Sequence, residues 1–394
     1  MRNQRNLTLF VLLVLVLVVF WNVWSTPSIT GNQPLSFKQP SPSACSILKD
    51  PPGQYIVVDL GGLDPSEPNS EATDLNERNS PRVTGHSYPP PASCKCDPDE
   101  TCKGYKHAFL SRNGVMKDLG TLNNAEVSIA LGINDNNQVV GYSPVIDCNK
   151  GAVGIPHAFL WKKGAMTDLG TLPDHIASTA ASINNVGQIV GWSSLNYERT
   201  DKEGVLWDHR GIKGLGFLLE GSYSVARDIN DAGKIVGTAS RSGYYEQVAV
   251  LWANGKIINL GNLPDGTSSL GAGINNQDQV VGTAYVLDSS TGTSLPHAFL
   301  WENGNMIDLG MLPGDNRAKA WGINDCSDVV GESQYTTQSA FIWRNGIMYD
   351  LNTLTSGSGW SLLSAAEINN QGYITGTGRP PNGDAWHGFL LIPQ

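Results

Sequence analysis

The sequence predicts an all-β fold, a seven-bladed β-propeller of four-stranded blades, on three observations. Signposts recur at a period of roughly 45 to 50 residues over most of the chain, the range of propellers and solenoids. Each period carries two hairpin-type turns, hence four short strands. One position in each period accepts only Ala or Gly, as an innermost strand crowded against its neighbours near an axis requires.

The unit is clearest from His157 to Ser193. An apolar strand ends in Trp at Trp161, Trp207, Trp252, Trp301 and Trp343, with His107 to Ser111 and His387 to Leu391 as variants. An Asp-Leu-Gly follows at Asp118, Asp168 and Asp308, and then an Ile-Asn step ahead of Val-Val-Gly. That Asn recurs at Asn134, Asn184, Asn230, Asn275, Asn324 and Asn369, with Leu75-Asn76 as a diverged further copy, so seven units are countable. Composition agrees: Gly 44, Pro 22 and only 16% charged residues suit short strands and turns better than helices.

Taken in order, residues 1–24 read as a signal peptide or an N-terminal membrane anchor. Arg2 and Arg5 precede the apolar run from Leu7 to Trp21, which places the rest of the chain outside the cytoplasm. Val23 and Ser25 would suit a signal peptidase, whereas extension through Trp24 gives about 18 apolar residues, long enough to stay as an anchor. Residues 25–53, rich in Ser, Pro and Gln, read as an extended linker. Residues 54–394 are the propeller, a single extracytoplasmic body either secreted or tethered through residues 7–24.

Within a unit, Asn113-Gly114, Lys163-Gly164, Asn254-Gly255, Asn303-Gly304 and Asn345-Gly346 predict type I′ hairpins, because such turns need positive φ at both central residues. The second hairpin turns through Asn137, Gly187, Gly233, Asp278, Ser327 or Gly372, mostly residues that tolerate the left-handed conformation. Four residues before each Asn stands Ala72, Ala130, Ala180, Ala226, Gly271, Ala320 or Ala365. The strand order from the axis outward is therefore Ile-Asn, Val-Val-Gly, His-Ala-Phe, Asp-Leu. Under that order Tyr55 to Leu60 is an orphan outer strand and His387 to Leu391 lacks one, so the two should pair and close the ring.

The His-Ala-Phe at His107, His157 and His297 resembles the HAF-repeat family of predicted extracellular proteins. The resemblance covers residues 55 to 394 and implies an exported repeat protein; it brings no assigned activity, so no catalytic residue is carried over. Two units depart from it, with Glu203-Gly204-Val205 and Val248-Ala249-Val250 in place of the motif.

The expected function is non-catalytic binding or scaffolding, with an extracellular glycan or protein as partner. A formal charge of -10 and no basic patch disfavour nucleic acid and anionic membrane surfaces, leaving membrane contact only to the N-terminal segment. Both hairpin turns fall on one face of the disc. The opposite face carries the loops of variable length, from 21 residues between Gly85 and His107 down to seven between Gly331 and Ser339, where recognition is expected. Tyr142, Trp192, Tyr197, Tyr244, Tyr245, Tyr285 and Tyr335 are its candidate glycan-stacking residues, with Tyr88 and Tyr105 beside them. The plainer reading is that these rings pack loop bases against the sheets.

Cys94, Cys96, Cys102 and Cys148 lie in neighbouring loops and are read as two disulfides rather than a zinc site; Cys45 and Cys326 are left over, paired or free. His107, His157, His297 and His387 each find an Asp at the matching outer-strand position, at Asp118, Asp168, Asp308 and, through closure, Asp59. A pair repeated four times is structural rather than catalytic. Asp64, Asp174, Glu220, Asp265 and Asp315 come after the outer strands and either form turns or ring the channel mouth as calcium ligands. The runner-up function is an extracytoplasmic polysaccharide hydrolase or lyase, which would gather carboxylates and a His in one axial mouth, whereas a binder would spread aromatics over several blades.

Overall fold

The computed structural model describes residues 52–90, 105–145, 154–196, 200–242, 246–381, 383 and 385–394. The apolar run of residues 7–24 lies outside them, as do Cys45, Cys94, Cys96, Cys102 and Cys148. Among the described residues no helix is long and apolar enough to cross a membrane.

The chain forms seven four-stranded antiparallel sheets arranged as the blades of a propeller. Blade 1 shows the plan: inner strand Ser70–Leu75, second strand Val83–Ser87, third strand His107–Arg112, outer strand Val115–Asp118. The inner strands of blades 2 to 7 are Ile129–Ile133, Ala177–Ile183, Ser224–Ile229, Gly266–Ile274, Arg317–Ile323 and Ser361–Ile368. Blade 7 takes its outer strand from the front of the fold. Tyr55–Asp59 pairs antiparallel with His387–Pro393, in the register Tyr55↔Pro393 to Asp59↔Phe389. Closure removes the open edge that blade 7 would otherwise present.

The hairpin chemistry is as expected. Asn113, Lys163, Asn254, Asn303 and Asn345 have φ of 49 to 53°, and the Gly after each is also positive. Blade 3 differs, turning through His209 and Arg210 with Gly211 at φ 109°. In blade 6 Asp350 caps one helical turn, Leu351–Leu354, accepting the Asn352 amide, where four other units have Asp-Leu-Gly.

The repeated residues each close a bond between neighbouring blades or within one. The Asn that ends the inner strand donates through Nδ2 to the backbone carbonyl of the next blade's Asn, from Asn76 to Asn134 and onward. Asn369 then donates to the Asn76 carbonyl at 3.1 Å, and the circle is complete. The Oδ1 of each such Asn accepts the backbone amide just ahead of the second strand, that of Gln138 donating to Asn134 at 3.1 Å and that of Gln279 to Asn275 at 3.0 Å. A buried amide satisfied on both sides is costly to replace.

The four His-Asp pairs are hydrogen-bonded, at 2.9 Å for His107 and Asp118 and 2.8 Å for His157–Asp168, His297–Asp308 and His387–Asp59. Each Asp also accepts the amide of the Gly two residues on, so the motif fixes the outer strand's exit. Ser128, Ser178, Ser224 and Ser269 complete the joint, each accepting an amide from the preceding blade's third strand and donating to the carbonyl of its exit glycine. The Phe of the motif, at Phe109, Phe159, Phe299, Phe341 and Phe389, is fully buried between blades.

Candidate functional site: an axial funnel built on seven bulges

Every inner strand slips register against its second strand just after the small residue, between Ala72 and Asp74 in blade 1, Ala226 and Asp228 in blade 4, and Ala320 and Gly322 in blade 6. The other four blades slip at the equivalent place. The Gly of Val-Val-Gly permits it. A Cβ on Gly141 would stand 1.9 Å from the Ile129 carbonyl oxygen, and equivalent glycines such as Gly85 and Gly191 meet the same 1.9 Å obstacle. Only glycine lets the two backbones close at a bulge this tight.

A bulge leaves one residue unpaired and re-aims it. The unpaired residues are Thr73, Leu131, Ala181, Arg227, Ala272, Trp321 and Ala366, and all seven line one axial cavity of about 1060 Å³. The wall is completed toward the variable-loop face by side chains including His86, Tyr88, Lys106, Tyr223, Tyr285 and Trp386.

Charges on this wall are mostly paired. Lys106 Nζ donates to Glu71 Oε1 at 3.0 Å and lies 3.1 Å from His86 Nε2, with the Tyr88 ring centroid at 5.8 Å. The hydrogen bond from His86, with help from Lys106, holds the Glu71 carboxyl down at about 2. Lys319 donates to Glu332 at 2.9 Å and stands 5.7 Å from the Trp321 ring centroid. The Arg379 guanidinium lies 4.7 Å from the Trp386 ring. Trp321 and Trp386 remain 38% and 43% exposed, an unusual state for so large an apolar ring.

The funnel floor is a constriction of three carboxyls from blades 1, 4 and 7. Asp74 accepts the amides of Leu75 and Ile133, both at 2.7 Å. Asp228 accepts from Ser182 Oγ at 2.6 Å and from the amides of Ile229 and Ile274. Glu367 accepts the Ile368 amide at 3.0 Å, in space that exists because a Cβ on Gly322 would lie 2.5 Å from its Oε1. Burial pushes Asp74 up to about 8, against the pull of the Ile133 amide and with the charge of Asp228 adding to it. Burial likewise raises Asp228, and burial plus the charges of Asp74 and Asp228 raise Glu367 well above the carboxylate range. Near neutral pH the floor is thus partly protonated. Beneath it, on the hairpin face, a second cavity of about 130 Å³ leads to the Asn circle.

The residues expected from sequence are distributed differently. Tyr285 lines the funnel, as does Tyr88. Trp192 is buried, packed with Tyr223 and covered by Lys202 at 4.3 Å, which is the packing reading rather than the stacking one. Tyr142 is half-buried and Tyr335 is 63% exposed, and neither is among the residues described as lining the funnel. Tyr197, Tyr244 and Tyr245 lie outside the described residues.

None of the acidic residues after the outer strands, Asp64, Asp174, Glu220, Asp265 and Asp315, is among those lining the axial cavity. Asp174, Glu220 and Asp265 occupy left-handed turn positions at φ 65, 67 and 58°. Asp64 accepts from Ser66, and Asp315 from Ser333 Oγ at 2.7 Å. Asp64 thus closes its own turn, and Asp315 ties its connection to the second strand of blade 6. Among the described residues no group of three or more His, Cys, Asp or Glu could hold a metal ion. The carboxyls that do reach the axis, Asp74, Asp228 and Glu367, sit two residues before the repeated Asn, where other units have Gly or Ser. Cys326, the only cysteine among the described residues, is disulfide-bonded.

Comparison with known proteins places the fold and little else. A family described as a protein of unknown function (DUF3466) matches residues 219–382, which run from the approach to blade 4 through the first two strands of blade 7. No curated protein matches. Among solved structures, the β-propeller domain of the Trilobed protease from Pyrococcus furiosus, described as having an open velcro topology, is 9% identical. It covers 83% of this chain and 94% of its own, with a TM-score of 0.54. A puromycin-hydrolyzing peptidase of Mycobacterium tuberculosis is 8% identical, with a TM-score of 0.50 over 87% of this chain. The match spans about half, 54%, of that peptidase. At such identities the likeness is one of fold. The chain is a seven-bladed β-propeller.

Proposed function

We propose that the protein is an exported, non-catalytic binding propeller that takes a glycan in the axial funnel, on the face of the variable loops. The observation that carries this reading is the pair Trp321 and Trp386, both exposed inside a concave wall that also presents Tyr88, Tyr285, Glu71 and Lys106. Exposed aromatic faces take the apolar C–H face of a sugar, and the polar groups between them take its hydroxyls. Export is the reading of residues 1–24. A glycan array probed with the protein, followed by tryptophan fluorescence titration of each hit, tests it. Trp321→Ala should abolish the fluorescence response and weaken binding at least tenfold while the melting temperature holds. An array without hits, or binding indifferent to both Trp321→Ala and Trp386→Ala, defeats the proposal.

A second reading, a polysaccharide hydrolase or lyase, is favoured by Asp74, Asp228 and Glu367 at the funnel floor with His86 on the wall. A protonated Asp74 is a general acid in kind. Against it, Asp74 and Asp228 spend both oxygens, each on the amide of the residue that follows it and on an amide or hydroxyl of a neighbouring blade. Reducing ends or unsaturated products released from an array hit, and lost in Asp74→Asn and Glu367→Gln, would replace the binding reading with this one.

A further inference from the structure

Arg227 is the unpaired residue of the blade 4 bulge and lines the funnel. Its guanidinium has no hydrogen bond, ion pair or ring partner among the described residues, unlike Lys106, held by Glu71, and Lys319, held by Glu332. The adjacent carboxyl cannot answer it. Asp228 already accepts from Ser182, Ile229 and Ile274, and it belongs to a floor where burial favours the protonated form. A chain with a formal charge of -10 therefore keeps a cation with no partner among the described residues on the wall of the axial cavity.

The order of the bulge residues places this cation usefully. Going round the axis, Arg227 and Trp321 are separated by the single small residue Ala272, with Ala181 on the near side of Arg227 and Ala366 on the far side of Trp321. The two large side chains thus face an open sector of the funnel wall rather than each other's neighbours. A sugar ring lying on Trp321 would turn its substituents toward Arg227. A planar fork of N–H donors matches a carboxylate through two parallel hydrogen bonds, which it cannot do with a hydroxyl.

Resting on the glycan reading above, we infer that the funnel selects a carboxylated sugar, its ring on Trp321 and its carboxylate in the fork of Arg227.

The test is calorimetric titration of the full-length protein with a panel of uronate trimers of galacturonate, glucuronate and mannuronate, each beside its methyl ester. The acid form should bind at least tenfold more tightly than its ester, and the advantage should shrink with added salt. Arg227→Gln should weaken the acid form roughly 10- to 100-fold and leave the ester unchanged, with an unaltered melting temperature. Equal binding of acid and ester, or an Arg227→Gln loss shared by both, overturns the inference while leaving the glycan reading intact. Absence of binding to every trimer, in both forms, overturns the inference too; the array decides separately whether the glycan reading falls with it.

Discussion

The two ends of the axial channel are built from the same seven inner strands, three residues apart, and differ in almost every respect. At the hairpin end each blade contributes the same Asn, every polar atom of it engaged with its own turn and with the next blade. At the funnel end each blade contributes a bulge residue, ranging from Ala181 to Arg227 to Trp321, two of which stand in a cavity with capacity to spare. Repetition here marks what the ring needs to stay closed. Variation marks where closure of the ring leaves the residue free to differ.

Opening the ring should break both ends together, with the largest effect. Deleting Tyr55 to Gly61 removes the outer strand of blade 7, the partner of His387 and the cover of an edge. The truncated protein should lose its single cooperative transition in calorimetry and aggregate; a melt like that of the intact chain would show that closure is dispensable.

Next comes a change confined to the hairpin end. Asn275→Ala removes the bonds to Asn324 and Gln279 and leaves the Gln277 and Gln279 amides without their acceptor. A cost of about 3 kcal/mol is expected from several buried hydrogen bonds lost at once. By contrast Trp321→Ala, at the funnel end, should cost under about 0.5 kcal/mol, as surface substitutions do. Equal destabilisation, read from denaturant midpoints, would erase the distinction between the ends.

A further effect lies at the constriction between them and depends on pH. Folding raises Asp74 from its ordinary range to about 8, so the folded state binds the proton more tightly than the unfolded chain does. Its contribution is fully present below the ordinary carboxyl range of about 4, declines as pH rises, and is gone once pH passes about 8. The protein should therefore melt higher at pH 5 than at pH 9, by a few degrees more than Asp74→Asn does. The same pH difference in both proteins would mean that Asp74 is not held protonated by the fold.

What the sequence shows of this molecule obeys the same division. Ala130, Gly141 and Asn134 are read correctly as inner strand, second strand and turn, because backbone crowding, a bulge contact and an amide ring each tolerate one residue type and so repeat. Tyr55 to Asp59 is legible as the closing strand because it is the one outer strand without a hairpin partner. The funnel is not legible in that way. Its residues are defined by a register slip, which no periodicity displays, and they differ from unit to unit. A signal is nevertheless present: the position after each Ala or Gly is Thr73, Leu131, Arg227, Trp321 or an Ala with no common pattern, between a small residue and an Asn that both repeat. The loop aromatics point instead to Trp192, which is core, and the carboxylates after the outer strands point to Asp174 and Asp265, which are turn formers.

The circle of Asn bonds has one further property. Every donor points to the next blade in the ring, and the step from Asn369 to Asn76, where no peptide chain connects the two blades' inner strands directly, measures 3.1 Å like the step from Asn324 to Asn369. The ring thus has a rotational sense and no seam. Circular permutants that join the strand ending at Pro393 to Tyr55 through a short linker, and open the chain between any two other blades, should keep all seven bonds. Which blade comes first in the chain is then a choice of phase, and the architecture is indifferent to it.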